Sequence, residues 1–241
     1  MIKFFRKIRQ NLLMENKTGK YFKYAIGEIV LVVIGIFIAL QLNNWNETRK
    51  IKNIEQVLLS DLKIEIKNSI SDLQDIIDSH KENLAAASLL TEFMYDREKG
   101  RNTDGSIWGK ALKDMDYNMT YDPKLGILKS IITSGKLDYI SNKDLRYKLS
   151  SLNDLIFDTN ESTNEITRNR PLLYWTTINK YVERQPDESV KTNYGKLFND
   201  SEFIWWLGWL ESVRKEGLEE EIELLIFLEE MIITIDSEIE K

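Results

Sequence analysis

Residues 24–42 read YAIGEIVLVVIGIFIALQL, and no other stretch constrains the fold as strongly. Only Glu28 and Gln41 interrupt a run that is otherwise apolar or small. As a helix rising about 1.5 Å per residue, it just crosses a hydrocarbon core of about 30 Å. Before it stand Lys3, Arg6, Lys7, Arg9, Lys17, Lys20 and Lys23, against one acid, Glu15; after it comes the mixed NNWNETRK. The positive-inside rule then keeps the N-terminus in the cytoplasm and carries the chain beyond about residue 45 across. Tyr21, Phe22 and Tyr24 at one end and Trp45 at the other suit the two interfacial aromatic belts. A cleaved signal peptide is the competing reading, but it has a shorter apolar region and small residues at its cleavage site. The run here ends Ala-Leu-Gln-Leu-Asn-Asn-Trp, so an uncleaved signal anchor is expected.

Charge divides the chain in the same place. Seven cations and one acid give residues 1–23 a net +6; since the whole chain carries −6, the remainder must carry −12. In the basic head, Ile2, Phe4, Phe5, Ile8, Leu12 and Leu13 alternate with the cations at near-helical spacing. That pattern suits a short amphipathic helix lying on an anionic leaflet through Lys3, Arg6, Lys7 and Arg9. Lipid is the expected partner of these charges, and nucleic acid is not. Three segments follow: a cytoplasmic head at 1–23, the anchor at 24–45 and a domain at 46–241. The absence of cysteine excludes disulfides, thiolate metal sites and cysteine nucleophiles, and the single histidine, His80, argues against zinc sites and hydrolase triads.

The stretch TGKYFKYAIGEIVLVVIGIFIALQLNNWNE, residues 18–47, resembles the opening signature of an uncharacterised family of bacterial single-span membrane proteins. A looser similarity falls on GKLDYISNKDLRYKL, residues 135–149. The resemblance implies a helical domain behind the anchor and bacterial inner-membrane placement. It carries no assigned activity and no catalytic residues.

Glu28 is the one residue of the span whose burial is costly. It shares a helix face with Val32, Gly35 and Ala39, and Gly35-x-x-x-Ala39 is a loose small-xxx-small pattern that admits close helix approach. Three roles stay open for Glu28: a side chain reaching back to the cytoplasmic interface, a carboxyl bonded between neighbouring helices, or an ion carrier.

Beyond the span, no proline or glycine occurs from Ile36 to Lys99, and apolar residues recur at helical spacing from Ile51 to Met94. That periodicity predicts a helix of about 50 residues, running on from the anchor. His80 falls on its apolar stripe, as a packed, hydrogen-bonded residue or as a pH-sensing or ligand-binding imidazole. Residues 100–121 read as a loop holding a short helix near Trp108 to Met115. Asp122-Pro123 is expected to cap a helix ending at Ser134-Gly135, and Ser141-x-x-Asp144 to box the next, which continues toward Arg168. Pro171 should kink or restart it, with helix again over 172–182. A connecting loop at 185–198 precedes a helix capped by Asp200 or Ser201, which Gly217 separates from or bends against the last helix. The other face of that last helix is acidic from Glu219 to Glu240. Strands are hard to find, so the expectation is all-α: a transmembrane helix continuing into a long helix, plus an extracytoplasmic helical bundle.

Candidates for chemistry are few. Asp114, Asp116 and Asp122 sit in irregular chain but match no calcium-loop or glycosidase spacing. No phosphate-cradling glycine motif, nucleophile elbow or His-Glu-x-x-His occurs. No catalytic residue, metal or cofactor is expected. The aromatic cluster Phe203, Trp205, Trp206 and Trp209, with Trp175 from an earlier helix, is either core packing, a partner or oligomer contact, or a ligand pocket. The expected function is a non-enzymatic membrane-anchored scaffold or interaction subunit, self-associating and open to a second membrane protein. The alternatives are a sensory or ligand-binding module, and a subunit of an ion-coupled complex using Glu28.

Overall fold

The computed structural model describes residues 18–186 and 190–239. The basic head up to residue 17 lies outside the described residues. Among those described, the order is α1 (Thr18–Tyr95), α2 (Arg97–Asn102), α3 (Gly105–Met115), α4 (Gly126–Thr133), a 3-10 turn (Lys136–Tyr139), α5 (Lys143–Thr159), α6 (Glu161–Thr176), a second 3-10 turn (Ile178–Tyr181), β1 (Val182–Arg184), β2 (Val190–Thr192), α7 (Tyr194–Leu197) and α8 (Ser201–Ile239). The protein is all-α apart from one antiparallel hairpin, in which Val182, Glu183 and Arg184 face Thr192, Lys191 and Val190. The chain forms two compact units, divided between Glu55 and Gln56.

In the first unit, α1 is long and apolar enough to cross a membrane, and none of its apolar window is buried within the protein. The same helix runs unbroken into the second unit, as the lack of helix breakers requires. There its buried positions, Leu59, Leu62, Ile66, Leu73, Ile77, His80, Asn83, Ala87 and Leu90, follow at three-, four- and seven-residue steps.

The shorter helices begin in ways the sequence did not indicate. Asp122 does not cap α4; its carboxylate accepts the Thr120 hydroxyl. Instead Glu65, buried on α1, accepts Ile127 N–H at 2.7 Å and Leu128 N–H at 2.8 Å, one on each carboxylate oxygen. An acid from another helix thus takes the place of a local cap. The expected box at Ser141 and Asp144 is replaced by Asn142, whose side chain accepts Leu145 N–H. Gly135 ends the preceding turn of chain as expected, at φ 69°.

Helix α5 stops at Asn160 rather than continuing toward Arg168. Asn160 turns its side chain to the backbone of Tyr121, accepting from its N–H and donating to its carbonyl, both at 2.8 Å. Pro171 lies inside α6, which continues to Thr176, and Val182 belongs to a strand instead of a helix. Asp200 caps α8 by accepting Glu202 N–H. Gly217 does not divide α8, which spans 39 residues. A Cβ there would stand 3.1 Å from the Ser162 Cβ, so the glycine marks close approach of α6 to α8.

Two apolar clusters fill the second unit. One is aliphatic, with Leu62, Ile66 and Leu73 of α1, Leu145 and Leu149 of α5, and Leu228 and Ile235 of α8. The other is rich in rings and joins Leu90 and Phe93 of α1, Trp108 of α3, Leu173 of α6, Leu197 of α7 and Phe203 of α8.

Candidate functional site

Where each chain segment passes from one cluster to the other, it contributes polar groups, and these form a buried layer. His80 is sealed from solvent (0%), and its Nδ1 stands 2.7 Å from Glu221 Oε1. Met119 N–H donates to the other ring nitrogen at 3.3 Å, so Nδ1 bears the hydrogen and donates to Glu221. Arg214, also buried, donates to Thr163 at 3.4 Å and to Asn118 Oδ1. Burial pulls its guanidinium down to about 10, partly offset by the Glu221 charge, and it stays protonated at neutral pH. Asn83 donates to the Asp114 carbonyl at 2.8 Å. Its own amide oxygen and Glu221 Oε2 accept no hydrogen bond among the described residues. The layer matches the packed, hydrogen-bonded reading of His80, and it corrects the acidic face of the last helix, since Glu221 points inward. Buried charge that is mutually compensated fixes an arrangement more readily than it performs chemistry.

Asp114 lies within α3, not in irregular chain, and Asp114, Asp116 and Asp122 have separate partners. Asp116 pairs with Arg170 at 2.6 Å and Asp114 with Lys110 at 2.9 Å. Tyr174 hydrogen-bonds Asp116; burial first, then that carboxylate, pushes its hydroxyl well above the ordinary tyrosine range. No group of histidine and acidic side chains able to hold a metal occurs among the described residues.

The aromatic set predicted on α6 and α8 separates. Phe203 is fully buried, in edge contact with Phe198 at 5.5 Å. Trp206 and Trp209 are half-buried, and Trp205, Trp206 and Trp209 form a chain of T-shaped contacts at 5.1 Å. Trp205 is 61% and Trp175 76% exposed. The ring contacts that link the three α8 tryptophans do not include Trp175. In the first unit Glu28 is half-buried beside Ala25, Ile29, Val32 and Val33 of its own helix, and Gly35 and Ala39 are exposed.

The largest ring assembly lies elsewhere. Phe93, Trp108, Tyr194 and Phe198 line a cleft of about 480 Å³ between the end of α1, α3 and α7. Trp108 stands 4.5 Å from Phe93 and 4.3 Å from Phe198, and Tyr194 stacks at 6.1 Å on both Trp108 and Phe198. Sequence reasoning missed this grouping because Phe93, Trp108 and the Tyr194–Phe198 pair lie on three elements far apart in the chain. The available signal was glycine, since Gly100, Gly105 and Gly195 also line the cleft.

The architecture defines a class: an all-helical protein with one helix of membrane-crossing length and composition near its N-terminus. The model of a family of unknown function (DUF6090) matches residues 28–170, and the chain belongs to that family. The match takes in most of the apolar helix and the buried-layer residues His80, Asn83, Asn118 and Thr163, but not Arg214 and Glu221 of α8. No curated protein and no solved structure matches the chain.

Proposed function

We propose that the protein is a non-enzymatic, membrane-anchored interaction subunit of the bacterial inner membrane, with its N-terminus cytoplasmic and residues 46–241 on the periplasmic side. The observation that carries this reading is the apolar window of α1, none of which is buried by the rest of the chain. Leaving so much hydrocarbon in water opposes roughly 25 cal/mol per Å², so lipid or another helix must cover it. The cations ahead of the span support the orientation. Gly35 and Ala39 leave a small-residue face open to a second copy, and exposed Trp175 and Trp205 are the residue type that anchors protein contacts. Binding is favoured over catalysis because the sole imidazole, at 0% exposure, reaches no substrate.

The chain contains no cysteine, which makes single-cysteine variants clean reporters. Gly35→Cys in native membranes should oxidise to a dimer at twice 28.3 kDa, and Phe37→Cys on the opposite face should not. An impermeant maleimide should label Asn193→Cys from the periplasm and Asn11→Cys only after lysis; the reverse pattern overturns the orientation. A native mass in mild detergent equal to a lone 28.3 kDa chain, with no cross-linked dimer, removes the interaction reading.

A further inference from the structure

The interaction reading leaves the ring-lined cleft without a role. Its volume of about 480 Å³ lies within the roughly 300–1,000 Å³ of small-molecule sites. Three wall positions, Gly100, Gly105 and Gly195, lack side chains. A Cβ on Gly105 would only touch the Tyr194 ring at 3.9 Å, and one on Gly195 would meet nothing nearer than the Asn193 side chain at 3.8 Å. Both lining positions have room for a larger residue. Gly100 differs, since a Cβ there would press on the Phe93 carbonyl at 2.9 Å.

The chemistry of the wall selects the ligand. None of the described residues lining the cleft carries charge at neutral pH, so these walls offer a charged ligand no counter-charge. Four rings and the Met94 thioether present polarizable surface that favours stacking and edge contacts with another ring. One polar acceptor is fixed in place. The Asn199 amide nitrogen is held by the Gly195 carbonyl at 2.6 Å, leaving its oxygen as an acceptor at the cleft. We propose that this cleft binds a small, uncharged, planar aromatic molecule bearing one hydrogen-bond donor, of the phenol or indole class. The site is independent of membrane topology and of any partner chain, so it stands or falls apart from the interaction reading.

The test uses full-length protein in mild detergent, labelled with 5-fluorotryptophan, and phenol as the probe. Six tryptophan signals are available, with Trp108 assigned by its loss in Trp108→Phe. Phenol should shift the Trp108 signal saturably, with Trp45 and Trp205 reporting detergent partitioning and surface contact. Gly195→Leu, which fills the cleft from an open position, should weaken that response at least tenfold while the Trp206 and Trp209 signals hold their native positions. Gly105→Leu, at a second lining position beside the Tyr194 ring, does the same should Gly195→Leu fail to fold. The site is overturned if Trp108 does not respond or moves only in proportion to Trp45 and Trp205. It is equally overturned if both filled variants bind phenol as well as the parent. Tight binding of n-hexanol, equal to that of phenol, refutes the aromatic assignment.

Discussion

In the aliphatic cluster, long helices meet through leucine and isoleucine at regular steps, and Leu62, Ile66, Leu73, Leu145, Leu149 and Leu228 are all at 0% exposure. In the second cluster α1, α6 and α8 meet the shorter α3, α7 and a 3-10 turn, and Phe93, Trp108 and Phe203 are buried among its aliphatic residues. Branched aliphatic chains interdigitate without gaps when helices present them in register. Rings meet at edges and offsets, and those of Phe93 on α1, Trp108 on α3 and Tyr194 and Phe198 at α7 border the cleft. The lesson is a contrast along α1 and α8, with an aliphatic half, a half in which rings border the cleft at Trp108, and a polar layer between.

Breaking the layer should have the largest effect. Glu221→Leu strands the Arg214 charge and the His80 N–H in apolar surroundings, at a cost of about 4 kcal/mol. The double variant His80→Leu/Glu221→Leu should cost less than the two single changes together, with a coupling of about 1 kcal/mol or more. Urea unfolding of the detergent-solubilised protein, followed by near-ultraviolet circular dichroism, measures both. Strict additivity would mean that the pair does not act as a unit.

The contrast between the halves comes next. Leu228→Ala opens a void in the aliphatic cluster and should cost about 3 kcal/mol. Trp108→Phe trims a ring beside space that is already open and should cost about half that. Equal losses of Tm in the two variants would erase the distinction drawn here.

The smallest effect is at the start of α8. Asp200→Ala removes the cap and should cost about 1 kcal/mol at neutral pH. The Tyr181 hydroxyl, donating at 2.6 Å, holds the Asp200 carboxyl below its ordinary range, helped by Glu202 and Phe203 N–H groups. An acid whose folded pKa is depressed contributes stability that is present above its unfolded value, 3.8, and lost as pH falls through the folded one. The gap between parent and variant should therefore narrow on acidification below that value. A gap constant down to the acid transition would show that the carboxylate is not the contributing species.

These differences also explain what was legible. The membrane-length helix, its continuation to Tyr95 and the all-α class follow from local periodicity and the absence of breakers, and all are present. Asp200 was legible as a cap because its partners are two and three residues away. Glu65 was not, because it caps α4 from 62 positions earlier. Gly217 was read as separating or bending the helix, and it does not separate it; its close neighbour is Ser162, on another helix. The predicted aromatic site drew on density in sequence, which brought forward Trp205 and Trp206. The rings that line the cleft are separated by up to 105 positions, from Phe93 to Phe198, and only the fold brings them together.

The span between His80 and Glu221 also sets a schedule. The two are 141 residues apart, and α8 supplies part of every interior surface in the second unit. At a synthesis rate of about 5–20 residues per second, His80 has existed for on the order of ten seconds before its partner is made. During that interval α1 carries an uncovered leucine stripe and an unmatched imidazole, and nothing encoded upstream of residue 201 completes either cluster. α8 therefore closes the interior of the second unit. A premature stop that removes it should leave an unfinished chain marked for degradation, whereas trimming at the opposite end leaves the second unit's interior intact.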